Sequence, residues 1–282
     1  MRALIVTMLV AWSGCASWLP APDPMSALDS EKPGARAQCL LVFLPGGGDS
    51  AESFVKEGFV QEVERHHYSI DMVAADATMG YYTRGVFTER LARDVVTRRL
   101  RRGYKQLWLV GPSLGGFGTL LYSRQRPIGE VTGVFALAPF LGTRTEVFRQ
   151  IEQAGGLEHW SAPQRSKLQE SNLEWELWRW LQALTQHKER GPELYLGYGT
   201  EDGLARTNAF LSAAMPVERV YTRAGGHSWA TWRQLFSEFL ERGPLREACG
   251  GDVSSTALRN PETADQTRAA ARPEVLQPTA AR

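Results

Sequence analysis

Cysteine is scarce, three in 282 residues. That is too few for a fold stapled by disulfides, and no two of the three stand at the short spacing of a zinc site. H-E-x-x-H is absent, and so is G-x-x-x-x-G-K-[ST], so neither a metallopeptidase helix nor a nucleotide-binding P-loop is expected. No metal and no cofactor is therefore expected. Charge of one sign is also missing: 32 Lys and Arg stand against 31 Asp and Glu, a net of +1. Such a balance provides no field for nucleic acid, and any partner must be read from local chemistry. The apolar run Ala3–Trp12 stops far short of the roughly 20 residues that a helix needs to span a bilayer. What the chain has in quantity is Gly, 27, and Trp, 9. The first permits sharp turns, and the second lines cores or pockets.

The two ends differ from the middle. Residues 1–15 have the layout of a secretory signal: Arg2, the apolar run, then small residues. Trp12-Ser13-Gly14-Cys15 resembles a bacterial lipobox, which makes Cys15 a candidate for acylation, with Trp12 departing from the usual Leu. The expectation is a cell-envelope protein, membrane-anchored or secreted; a cytoplasmic chain with a misassigned start is the alternative. Cys39 and Cys249 could pair in an oxidising compartment, or be simply one buried and one exposed thiol. Residues 16–38, rich in Pro, Ala, Asp and Gly, read as a linker. Residues 241–282 read as a disordered tail, since nothing beyond Phe239 is aromatic.

Between residues 39 and 240, short apolar runs alternate with segments of helical period, the pattern of a mostly parallel sheet with helices on both faces. Strands are expected over Cys39–Leu44, Ile70–Ala75, Gln106–Gly111, Val131–Leu137, Glu193–Tyr198 and Val217–Thr222. A helix over Thr88–Arg102 turns Leu91, Val95 and Leu100 inward. Its six arginines, Arg90, Arg93, Arg98, Arg99, Arg101 and Arg102, read as a mostly solvated face. About fifty residues, 142–191, separate two strands and carry four Trp, too long for a loop and suited to a helical cap insertion.

One junction carries chemistry. The strand QLWLVG runs into Gly111-Pro112-Ser113-Leu114-Gly115, and a helical segment follows. This is G-x-S-x-G between strand and helix, where small flanking residues let a strained serine project. A serine hydroxyl needs a base to take its proton, and a base needs a carboxylate to orient it. His227, in a small-residue loop between the last strand and the last helix, is the candidate base; His66, His67, His159 and His187 are placed elsewhere. Asp202, where the penultimate strand turns, is the candidate acid, with Glu201 its neighbouring rival. The order Ser, Asp, His along the chain is that of the α/β-hydrolases. An oxyanion needs preorganised amides, expected from Leu114 and from Gly47 or Gly48 of Pro45-Gly46-Gly47-Gly48-Asp49. A phosphate-binding role for that loop fails, because Asp49 would repel an anion. Tyr81, Tyr82, Trp178 and Trp229 are candidates for a substrate pocket, although core packing explains bulky residues equally well.

On these motifs the chain resembles an α/β-hydrolase over residues 39 to 240. The blocks LPGGGDSAESF, VAADATMGYY, GYKQLWLVGPSLGGFGTLLYSR and QAGGLEHW look like a bacterial group of α/β-hydrolases and carboxylesterases. The resemblance implies the α/β-hydrolase fold and a serine-hydrolase mechanism, with Ser113 matching the nucleophile, Asp202 the acid and His227 the base. Two departures accompany it: the first expected strand corresponds to the third of the usual eight, and Pro45-Gly46 replaces the His-Gly pair common before the oxyanion loop. The expected activity is hydrolysis of an ester or thioester of a small or lipid-like substrate. The alternatives are acyl transfer by the same triad and a non-catalytic tethered binding protein. No nucleic-acid partner is expected, membrane contact only through a lipid at Cys15, and the oligomeric state stays open.

Overall fold

A computed structural model describes residues 19–30, 37–142, 145–163 and 173–250. The expected signal sequence with Cys15, and the expected tail from residue 251 on, lie outside these residues. Among the described residues seven strands form one sheet, in the order β1-β3-β2-β4-β5-β6-β7. They are β1 (Ala27–Ser30), β2 (Cys39–Phe43), β3 (Ile70–Ala75), β4 (Gln106–Pro112), β5 (Gly133–Leu137), β6 (Glu193–Gly199) and β7 (Val220–Arg223). All neighbours run parallel except β1, which lies antiparallel on β3. Every residue of β2, β3 and β5 is buried. A strand can bury both of its side-chain rows only when helices cover both faces of the sheet, which is why these strands read as continuous apolar runs.

The helices between them are α1 (Glu52–Lys56), α2 (Phe59–Arg65), α3 (Met79–Thr83), α4 (Phe87–Arg90) and α5 (Thr97–Leu100), the last two joined by a π-helical stretch, Leu91–Val96. They continue as α6 (Leu114–Gln125), α7 (Glu146–Gln153), α8 (Leu173–Thr185), α9 (Ala205–Ala213), α10 (Trp229–Arg242) and α11 (Leu245–Ala248). Aromatic rings bind α1, α2 and α10 to the sheet. Phe43 stacks on Phe54 at 4.8 Å, Phe59 on Phe236 at 4.8 Å, and Phe135 on Phe239 at 4.2 Å. Rings of this size each remove about 150–250 Å² of surface from water. Among the described residues no helix is long and apolar enough to cross a membrane.

Four expectations need correcting. The linker over 16–38 is no free tether: Ala27–Ser30 completes the sheet edge, and the segment before it is strapped down. Tyr81 donates to the Pro22 carbonyl at 2.7 Å, the Met25 amide donates to Asp94 at 2.9 Å, and Arg84 reaches the Leu19 carbonyl at 3.1 Å. The tail does not begin at 241, because Arg242 completes α10, Leu245 of α11 is buried, and Cys249 forms a disulfide with Cys39. Arg99 does not face water; it is buried and forks onto Asp29 of β1, with both contacts at 2.7 Å. The last strand starts at Val220, since Val217–Arg219 winds into a short 3₁₀ turn.

Candidate active site

The C-terminal ends of β4, β6 and β7 point to one edge of the sheet, and the three candidate catalytic residues follow those ends. Ser113 is the single residue between β4 and α6, with φ 53° and ψ −115°. A non-Gly residue at positive φ is strained by about 1–3 kcal/mol, so the surroundings must hold it there. They do so through the backbone. The Ser113 amide donates to the Leu137 carbonyl at 2.8 Å, and its carbonyl accepts from Phe117 at 3.1 Å and Phe140 at 3.0 Å. The turn is also packed too tightly for side chains. A Cβ on Gly115 would stand 1.9 Å from the Leu44 carbonyl oxygen, and one on Gly111 would stand 2.5 Å from the Gly115 carbonyl carbon. The glycines of G-x-S-x-G are thus required by backbone crowding against the end of β2.

Asp202 leaves β6 in a sharp turn, with its side chain wholly enclosed. One carboxylate oxygen accepts the Leu204 amide at 2.8 Å, and the other lies 2.8 Å from His227 Nδ1. A buried carboxylate on Nδ1 fixes the ring's orientation and turns Nε2 away from Asp202. Glu201 is exposed, which separates it from Asp202. The loop carrying His227 is tied to the β6 end, since the Glu201 amide donates to the Gly225 carbonyl at 3.0 Å. Trp232 packs perpendicular to the imidazole, with ring centres 4.8 Å apart. Ser228 then caps α10, accepting from the Thr231 amide. The other histidines stand apart: His66 stacks on Tyr68, while His67, His159 and His187 are exposed.

A cavity of about 590 Å³ opens at Ser113. Leu114 and Gly47, two of the expected oxyanion donors, line it, whereas Gly48 does not. Leu114 begins α6, and the first amides of a helix have no partner within it, so they are free to face a negative charge. The cavity wall is largely apolar: Met79, Phe117, Phe140, Leu173 and Leu177 contribute to it, with Glu174 and Thr145 as a polar spot. The Thr145 hydroxyl donates to Glu174, and burial raises the Glu174 carboxyl above its ordinary pKa. Leu173, Glu174 and Leu177 come from α8, so the expected cap segment does border the cavity.

Of the four expected pocket residues only Tyr82 lines the cavity. Its ring stacks on Phe87 at 4.2 Å, and burial pushes its phenol above the usual range. Tyr81 is buried and donates to Pro22, so it holds the N-terminal strap. Trp178 is buried and donates to the Leu141 carbonyl at 3.1 Å, supporting the loop after β5. Trp229 sits among Phe54, Phe59 and Trp232 and donates to Asp49 at 3.2 Å. Phe140 was not legible as a pocket residue. It lies two residues after Ala138, a buried alanine at φ 42°, and its amide donates to the Ser113 carbonyl.

These features define the fold class as α/β-hydrolase. No family model and no curated protein sequence matches the chain. Solved structures resemble it in fold. The fluorophosphonate-binding serine hydrolase F of Staphylococcus aureus superposes with a TM-score of 0.53 at 12% identity, over 77% of this chain and 98% of that one. An S-formylglutathione hydrolase from Agrobacterium tumefaciens gives 0.51 at 14% identity, over 78% and 90%. An esterase from Pyrobaculum calidifontis gives 0.51 at 13%, over 77% and 80%.

Proposed function

We propose that the protein is a serine hydrolase that cleaves an ester or thioester of a small or lipid-like substrate through an acyl-enzyme. The observation that carries this reading is Ser113 held at positive φ between β4 and α6, at the same sheet edge as the bonded pair Asp202 and His227. In the mechanism, His227 takes the Ser113 proton as Oγ attacks the carbonyl carbon. Amides of Leu114 and Gly47, which line the cavity at Ser113, receive the oxyanion, and Asp202 stabilises the imidazolium. Collapse expels the alcohol or thiol, which takes the proton from His227. Water then enters, gives a proton to His227 and its oxygen to the acyl carbon, and Ser113 recovers its proton as the acid leaves. The apolar cavity suits an acyl chain. The Cys39–Cys249 disulfide favours an oxidising compartment, in keeping with an exported protein of the cell envelope, whether lipid-anchored at Cys15 or free.

A fluorophosphonate probe tests the reading directly. Wild type should label and should hydrolyse p-nitrophenyl esters; Ser113→Ala should do neither, while keeping the wild-type denaturation midpoint. Absence of labelling on folded wild type contradicts the assignment.

A further inference from the structure

Asp49 stands in the turn of the Gly-rich loop, its amide donating to the Gly46 carbonyl at 3.2 Å. Its carboxylate lies close to the nucleophile. The point a Cβ would occupy on Gly46 is 2.8 Å from Asp49 Oδ2 and 3.8 Å from Ser113 Cβ. The other oxygen is held by the Trp229 indole N–H at 3.2 Å. Trp229 packs in turn perpendicular to Phe54 and Phe59, each with ring centres 5.3 Å away. Among the described residues no cation pairs with Asp49. A carboxylate is therefore positioned across Gly46 from Ser113 and kept there by a neutral donor.

The side it occupies matters. Trp229 is two residues from His227, and none of Asp49, Trp229 and His227 lines the apolar cavity. In acyl transfer the base hands its proton to the leaving group, so the leaving group departs past the imidazole while the acyl chain fills the cavity. Resting on the serine-hydrolase reading of this site, we propose that Asp49 is a specificity-determining residue that discriminates against anionic leaving groups. The substrates it admits are esters or thioesters of neutral or cationic alcohols and thiols. Two like charges roughly 8 Å apart at an effective dielectric of about 30 disfavour association by about tenfold.

Two esters that differ in one charge on the leaving group provide the test: o-nitrophenyl butyrate and the same ester with a carboxylate on the ring. Asp49→Asn removes the charge while its side-chain oxygen still accepts from Trp229. The ratio of kcat/KM for the anionic ester to that for the neutral one should rise about tenfold in Asp49→Asn, and the difference should shrink as salt is added. Asp49→Glu, which keeps the charge, should stay near the wild-type ratio. An unchanged ratio in Asp49→Asn, with the neutral ester still hydrolysed, overturns the proposal alone. A wild type inert to both esters and to the fluorophosphonate overturns the hydrolase reading and this proposal together.

Discussion

The glycines around Ser113 serve different physical ends, and substitution by alanine separates them. At Gly115 the added methyl would stand 1.9 Å from the Leu44 carbonyl. That carbonyl cannot retreat easily, because the Leu44 amide is bonded to Val110 at 2.9 Å. Gly115→Ala should therefore cost about 3 kcal/mol or more, or prevent folding, since overpacking against backbone finds no soft neighbour. At Gly48 nothing lies within 4 Å, but φ is +88°, so Gly48→Ala should cost only the strain of that conformation, about 1 kcal/mol. Denaturant midpoints of the two variants check this; equal losses would contradict it. The same contrast explains what could be read in advance. G-x-S-x-G was legible because backbone crowding dictates residue types at fixed neighbouring positions. Tyr81, Trp178 and Trp229 were not separable from pocket residues, because a bulky ring serves a buried core and a cavity wall equally well, and only three-dimensional facing decides.

At the scale of elements, the alternation of strands and helices over residues 39–240 was legible since each buried strand is a run of apolar residues. Strand β1 was not. Ala27–Ser30 has half-buried ends and exposed Leu28 and Asp29, and it is held at the sheet edge by hydrogen bonds to β3 and by Arg99, seventy residues away. No local period marks a strand of that kind. Arg99 also donates to the Val95 carbonyl at 2.8 Å, and with Asp29 in place its guanidinium is satisfied despite burial. Asp29→Ala strands that charge and should cost about 1–3 kcal/mol. It should also speed amide exchange across Ala27–Ser30. Adding Arg99→Met should recover part of the loss, because no buried charge is then left without a partner. Strictly additive losses in the double variant would show that the pair is not coupled.

For the molecule as a whole, the informative link is Cys39–Cys249, two residues 210 apart in sequence. The sequence left their pairing open, and the reason is geometric. Only when α10 has packed back against the sheet, through Phe236 and Phe239, does α11 bring the chain to the start of β2. There the Cys249 carbonyl accepts from Ser69 at 2.6 Å, just before β3. This closure is at the N-terminal ends of the parallel strands, whereas Ser113, Asp202 and His227 follow the C-terminal ends. The bridge thus stabilises the fold from the side opposite the candidate chemistry. Closing so long a loop removes unfolded-state entropy worth up to about 5 kcal/mol. Replacing both cysteines by alanine should lower the free energy of denaturation by several kcal/mol, while the folded fraction keeps its wild-type rate of fluorophosphonate labelling. A labelling rate that falls in the folded protein would show that the two ends of the sheet are coupled. An unchanged midpoint would show that α11 is held without the bridge, by Leu245 buried against the core and by the Ser69–Cys249 backbone bond.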